Sequence, residues 1–389
     1  MKNHEKPFDP SKLTPEYIEE QRRIRNERKE KERKRKEELG LIPPPEPESF
    51  IKRPFIKLNL PSVTDKLAIT IMSYNILAQT LIRRELYSTN GKILKWHIRS
   101  KVLLDEITHY NPSILTLQEC DKIQYNSFWK QHLTKLGYEC KYYQFNTKNH
   151  GLVIAYKSNL FNCKHQSFIK LDQDFEELPV SRIYTKNVAF ITYLEFTNEI
   201  RQSYPYLKNG LMIGTTHLFW HPFGTFERTR QMYMILHKFK DFQHTLSTLY
   251  KAFSCYSFLT GDFNSEPFDA PYLSITSKPI TYENQMKNVL GCSLTYKYSK
   301  ERSMEDEDEE DEAFENERKN NPDDPEPSNF HASPEQDQIM QKLQDAHNSL
   351  NLRAISLYSV GYKFIDSKNS TNHKNEPVFS NWVDKWNGI

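Results

Sequence analysis

The sequence predicts an α/β or α+β domain in which helices cover sheets. Two observations carry that expectation. From Lys66 onward, short runs rich in β-branched and aromatic residues alternate with amphipathic helical stretches. A chain of 389 residues is also long enough to bury a substantial core.

In order, the expected strands are AITIMSYNI, SILTLQE, GLVIAYK, NVAFITYLEF, GLMIGTTHL and SFLTGDF. Each is a short apolar run with β-forming residues and a polar or turn-forming boundary. One expected helix runs from Ile98 to Tyr110, because Val102, Leu103, Ile107 and Tyr110 share a face. A second runs from Glu227 to Tyr250 and carries Met232, Met234, Ile235, Phe239 and Phe242. A third begins near Pro334 and continues through Leu350, with Ile339, Leu343, His347 and Leu350.

Two segments depart from this pattern. Residues 1–65 form a charged N-terminal extension, expected to be largely disordered apart from a basic helix near 15–39. Thr14 and Pro15 read as an N-cap and first-turn pair, and Gly40 with Pro43, Pro44 and Pro45 reads as a stop. Between them Glu27 and Lys31, Glu30 and Lys34, and Glu32 and Lys36 stand at i,i+4 spacing. The segment is either a solvated tail or a surface for nuclear import or RNA backbone contact, built on Lys29 to Lys36. The domain proper is expected over 66–389, interrupted at about 300–333 by an acidic insertion, MEDEDEEDEAFENERKNNPDDPE at its centre. Like charges at that density bury no core, so disorder is expected there.

Composition narrows the function. Lys plus Arg (53) balances Asp plus Glu (51), and a net charge of +2 excludes a uniformly basic nucleic-acid binder. Cys120, Cys140, Cys163, Cys255 and Cys292 are scattered and form no CxxC pair, which argues against a disulfide framework or a structural zinc site. The N-terminus lacks the apolar core of a secretory signal, and no run approaches the ~18 apolar residues of a membrane span. An intracellular protein is expected, cytoplasmic or nuclear, with the tract at 28–36 as the nuclear signal.

The candidate chemistry sits where strands end, since a rigid sheet aims side chains into the space beyond it. Asn75, Glu119, His217, Asp262 and Asn264 all lie at such ends. Singly, each has a plain structural reading: Asn75 as a turn cap, Glu119 as a helix-entry acid, His217 as a bonded core histidine, Asp262 and Asn264 as turn residues. Together they fit phosphate-ester hydrolysis. A hard Mg²⁺ ion takes a carboxylate and keeps several waters, so Glu119 suffices as its main anchor, with Mn²⁺ as a substitute. Asp262 can orient the attacking water and accept its proton, and Asn75, Asn264 and His217 are donors for phosphoryl oxygens.

SYNILAQ, LQECD, TTHLFWHP and GDFNSEP, in this order and spacing, resemble the endonuclease/exonuclease/phosphatase superfamily. Within it they are most similar to the nocturnin-like and carbon catabolite repressor 4-like deadenylases, especially the Ngl-type RNA exonucleases of fungi. The resemblance covers roughly Leu67 to Ile389 apart from the acidic insertion. It implies an α/β fold with a two-sheet β-sandwich flanked by helices on both outer faces. It also implies Mg²⁺-dependent hydrolysis of single-stranded RNA from the 3′ end, as a deadenylase-like or RNA 3′-end processing enzyme, with no membrane partner. Roles carried over are Glu119 as metal ligand, Asn75 near metal and phosphate, His217 on phosphate, and Asp262 with Asn264 on the nucleophile and phosphate.

Two departures accompany the resemblance. Deadenylases of this group carry Asp-Gly before the middle strand, whereas His150 precedes Gly151 here, which removes one mark of poly(A) preference. After NEPVFSNW the family continues with Leu-Asp-Tyr-Ile and Ser-Asp-His motifs, whereas this sequence reads VDKWNGI; neither Asp366 nor Asp384 fits those motifs. The expectation is a C-terminally shortened domain with its last strands missing and weak turnover. An RNA-binding remnant using the basic helix from Arg22 to Lys36, or another phosphodiesterase or phosphatase of the superfamily, are the alternative readings.

Overall fold

A computed structural model of the chain describes residues 66–82, 91–298, 324–370 and 373–378, with 49–53, 55, 380 and part of 20–35. The chain divides into two compact units, Met1–Ser49 and Phe50–Ile389. In the first, the described residues between 20 and 35 are helical, and Arg23 pairs with Glu20 at 2.8 Å. The flanking signals at Thr14–Pro15 and Gly40–Pro45, and the acidic insertion up to residue 323, lie outside the described residues.

The larger unit is built on two four-stranded sheets. The first has the order β1-β2-β4-β3, with β1 Ile71–Asn75, β2 Ile114–Asp121, β3 Tyr138–Tyr143 and β4 His150–Lys157. The second has the order β5-β6-β7-β8, with β5 Phe161–Lys170, β6 Val188–Phe196, β7 Gly210–His217 and β8 Cys255–Asp262. Among the described residues only β1 with β2 and β7 with β8 pair in parallel; the other ladders are antiparallel. Parallel pairing puts the C-terminal ends of both partners at one end of the sandwich, which makes that end the place to look for a site.

Alternation along the strands separates two kinds of core. Ile114, Ile154, Tyr156, Phe190, Leu194, Leu211 and Ile213 face inward and fill the space between the sheets. Leu115, Leu117, Val153 and Ala155 face outward and pack under Leu103 and Ile107 of α1 (Trp96–Tyr110) and Leu133 of α2 (Lys130–Lys135). On the other side Ala189, Ile191, Tyr193 and Met212 face outward, under α4 (Thr225–Leu249), α5 (Ala270–Thr276), α6 (Asn284–Thr295) and α7 (Pro334–Ser349). The short α3 (Asn198–Ser203) follows β6. The expected sandwich with helices on both outer faces is therefore the observed one.

The six expected strands and three expected helices form within a few residues of their anticipated bounds. Helix α7 starts at Pro334 as expected, behind a cap not anticipated from sequence: the Ser333 hydroxyl accepts from Gln336 N–H while the Gln336 side chain accepts from Ser333 N–H, a reciprocal cap. Strands β3 and β5 are additions to the expectation. Both lie at sheet edges, and β5 alternates exposed and shielded residues along its length, so neither presents the continuous apolar run of an interior strand.

Candidate active site

At the parallel ends of the sandwich, the inward-facing positions of four strands change character together. On β1 they read Ile71, Ser73, Asn75; on β2, Ile114, Thr116, Gln118; on β7, Ile213, Thr215, His217; on β8, Phe258, Thr260, Asp262. Hydrocarbon gives way to hydroxyl and then to amide, imidazole or carboxylate. The hydroxyl and amide layers join the sheets: Thr116 Oγ1 lies 2.9 Å from Thr260 Oγ1, and Gln118 Nε2 donates to Thr215 Oγ1 at 2.9 Å. These pairs satisfy polar groups that burial would otherwise penalise.

Beyond that layer stands the site. The Asn75 amide donates to Glu119 Oε1 at 2.6 Å and to Asp262 Oδ2 at 2.9 Å, so one side chain bridges carboxylates from both sheets. His217 Nε2 lies 3.8 Å from Glu119 Oε1 and 4.0 Å from Asp262 Oδ2. His217 and Asp262 are register partners across the parallel β7–β8 ladder, which sets their proximity. Asp262 is the most open of the three, its side chain 30% exposed against 11% for Glu119 and 15% for His217, so solvent and substrate reach it most easily.

Glu119 occupies its place through an irregularity. In strict alternation it would follow Leu115 and Leu117 onto the outer face. The β2–β4 register shifts between Leu117 and Cys120, and Glu119 takes φ +54°, a left-handed conformation that non-glycine residues seldom adopt. The extra residue leaves Cys120 in the outer core with Leu115 and Leu117 and turns Glu119 toward the site. Its second oxygen accepts from Ala78 N–H at 3.1 Å. Strain of this kind persists only where its surroundings fix it, and it concentrates at functional sites.

The GDFN segment is shaped equally closely. Gly261 has φ +144°, and a Cβ there would stand 2.2 Å from the Thr216 carbonyl oxygen, so no larger residue fits between Thr260 and Asp262. Asn264, at φ +45°, donates its backbone N–H to Asp262 Oδ1 at 3.1 Å. Its side-chain amide donates to the Leu218 carbonyl at 2.9 Å. Asn264 thus stands beside the cluster and ties the end of β8 to the end of β7. All five anticipated residues come together; Asn75, Glu119, His217 and Asp262 face one another directly.

Further residues hold this end in place without having been singled out from sequence. Asn187, just ahead of β6, donates to the His217 carbonyl at 2.7 Å. Behind it the buried Asp172 carboxylate accepts from Thr185 N–H, Thr185 Oγ1 and Lys186 N–H at 2.9, 2.6 and 2.6 Å. Burial pushes the Asp172 carboxyl up from the ordinary range, and these donors oppose that rise. Gln231 of α4 links Thr185 Oγ1 to Phe219 N–H, two residues past His217. Asn187 opens the quoted NVAFITYLEF run, and a polar residue at a strand boundary was the available signal.

Glu119, His217 and Asp262 each offer one ligand atom, and these atoms lie within 4.8 Å of one another. Carboxylate oxygens with an imidazole nitrogen are hard to intermediate donors, and the two acids present negative charge to a common point. The set fits a divalent metal ion.

The chain is similar to known proteins along most of its length. Residues 72–335 match the Endonuclease/Exonuclease/phosphatase family. RNA exonuclease NGL2 of Saccharomyces cerevisiae is 43% identical over 390 residues, covering 97% of this chain and 76% of that protein. Probable RNA exonuclease C9B6.11c of Schizosaccharomyces pombe is 34% identical over 403 residues, with the same shares of 97% and 76%. Among solved structures, ANGEL2, described as a 2′,3′-cyclic phosphatase, aligns with a TM-score of 0.47 and 26% identity over 55% of this chain and 59% of that one. With the family match running from β1 into α7 and through every strand that carries the Asn75–Glu119–His217–Asp262 cluster, the chain belongs to the endonuclease/exonuclease/phosphatase family.

Proposed function

We propose that the protein is a Mg²⁺-dependent RNA exonuclease that hydrolyses phosphodiester bonds from the 3′ end of single-stranded RNA and releases mononucleotides. The observation that carries this reading is the bridge from Asn75 to Glu119 and Asp262, 2.6 and 2.9 Å long, with the His217 imidazole opposite both acids. The naming of two similar yeast proteins as RNA exonucleases supports the choice of RNA over other phosphate esters.

Glu119, fixed by Asn75 and the Ala78 amide, is the residue that would hold Mg²⁺, or Mn²⁺ in its place. When bound, the ion supplies positive charge against the phosphoryl oxygens. Asp262 orients water and accepts its proton; its two oxygens are held by Asn264 N–H and the Asn75 amide, so the carboxylate cannot swing freely. His217 contributes an N–H to the charge that builds on phosphorus-bound oxygen, with its backbone steadied by Asn187. The basic tract at 28–36 would contact RNA backbone or serve nuclear import.

The test incubates purified protein with 3′-labelled single-stranded RNA and Mg²⁺. Release of mononucleotides that stops in EDTA and in Asp262→Ala is the expected result. Degradation that survives both overturns the proposal, and salt-sensitive RNA binding without turnover favours the non-catalytic reading instead.

A further inference from the structure

The loop leaving β1 points its amides and its carbonyls in opposite directions, and each set has a distinct use. Leu77 N–H donates to Asn75 Oδ1 at 2.9 Å, Ala78 N–H to Glu119 Oε2 at 3.1 Å, and Gln79 N–H to Asp121 Oδ2 at 2.7 Å. Three consecutive amides thus grip three side chains of the site end. On the reverse side, Arg99 of α1 donates through Nη2 to the carbonyls of Ile76 and Leu77, the latter at 2.6 Å, and through Nη1 to Gln79 Oε1 at 3.3 Å.

The loop does not adopt this shape unaided. Leu77 has φ +56°, a left-handed conformation that costs a residue with a Cβ and that a leucine side chain gains nothing from. Two adjacent carbonyls turned to the same side repel one another, and a donor that reaches both offsets that repulsion, most strongly when it is charged. A planar guanidinium with several N–H groups meets that requirement, whereas an ammonium offers a single point charge.

We propose that Arg99 is a positioning residue for metal binding: by drawing the carbonyls of residues 76 and 77 to itself, it turns the Leu77 and Ala78 amides of the same planar peptide units onto Asn75 and Glu119 and so fixes the Glu119 carboxylate in its ligating orientation. Arg99 is not one of the three residues whose ligand atoms cluster, Glu119, His217 and Asp262. The inference rests on the reading of Glu119 with Asp262 and His217 as a divalent-metal site.

The experiment measures Mn²⁺ binding by calorimetry to the full chain, alongside thermal melting, for the wild type, Glu119→Ala, Arg99→Lys and Arg99→Ala. Residues that orient metal ligands from behind are typically worth about 10- to 100-fold in affinity. Arg99→Ala is expected to weaken Mn²⁺ binding at least about tenfold, Arg99→Lys to weaken it less, and guanidinium ion at millimolar concentration to restore part of the Arg99→Ala loss. An Arg99→Ala protein that melts as the wild type does and binds Mn²⁺ equally overturns the proposal. So does a loss that follows only the unfolded fraction and shows no recovery with guanidinium. If Glu119→Ala abolishes binding while Arg99→Ala leaves it intact, the metal site stands and only the role of Arg99 falls. A wild type that binds no Mn²⁺ removes both.

Discussion

Replacing Asn75 with alanine removes an amide that donates to acids on both sheets, and its cost can be worked from the geometry. A hydrogen bond to a charged group contributes about 1.5–3 kcal/mol. The bond to Glu119, 2.6 Å long and with its acceptor only 11% exposed, should count nearly in full. The bond to Asp262, 2.9 Å long, counts for less, because that side chain is 30% exposed and water replaces the donor. The variant also leaves two carboxylates facing each other at close range. Like charges about 5 Å apart repel by about 3 kcal/mol at an effective dielectric constant near 20 in both proteins, so this repulsion adds no separate term beyond the two lost hydrogen bonds. The expected loss for Asn75→Ala is about 2–3 kcal/mol in the absence of divalent metal, read from urea unfolding followed by circular dichroism at neutral pH. In saturating Mn²⁺ the difference should fall below about 1 kcal/mol, because a bound cation takes over the charge balance between the acids and stabilises the native state. A variant as stable as the wild type without metal, or an equal loss with and without it, refutes this account of Asn75.

Two further outcomes follow from features described above. Glu119→Gly and Glu119→Ala should both lose Mn²⁺ binding, but the glycine variant should be more stable by about 1 kcal/mol in thermal melts, because only glycine occupies φ +54° without strain. His347 is buried under α4, its Nε2 bonded to the Thr229 carbonyl, and burial pushes its pKa down to about 4. The unfolded chain therefore binds a proton that the folded one refuses between that value and the ordinary histidine range. Stability should be fully present above about pH 6.5 and fall as the pH drops toward 4, by up to about 1.4 kcal/mol per unit, and His347→Gln should flatten that slope in pH-dependent urea unfolding.

Most of the site was legible because its residues obey the period of a strand. Asn75, His217 and Asp262 each end an inward-facing series that starts in hydrocarbon, so a reading of polar strand ends finds them together. Glu119 was legible as a polar residue at a strand end, and its facing was not: its parity places it on the outer face, and the one-residue bulge that corrects this leaves no trace in composition. Arg99 and Asn187 were passed over for a related reason. An arginine on an amphipathic helix and an asparagine ahead of a strand are ordinary surface residues until the loops they hold are known. The edge strands β3 and β5 escaped because a strand paired on one side, and wet on one face, needs no continuous apolar run.

The hydroxyl and amide pairs between the sheets, Thr116 with Thr260 and Gln118 with Thr215, behave like dowels in a joint. Facing surfaces of leucine and phenylalanine tolerate sliding by fractions of an ångström at little cost, since dispersion is nearly direction-free. A hydrogen bond tolerates far less, because its strength falls steeply with angle. Placing these pins beside and one layer behind the clustered residues confines relative creep of the sheets to the distant apolar part. Asn75, Glu119, His217 and Asp262, drawn from two separate sheets, thereby keep a common alignment, and a sandwich with the same total stability but a wholly aliphatic seam would hold them less exactly in register.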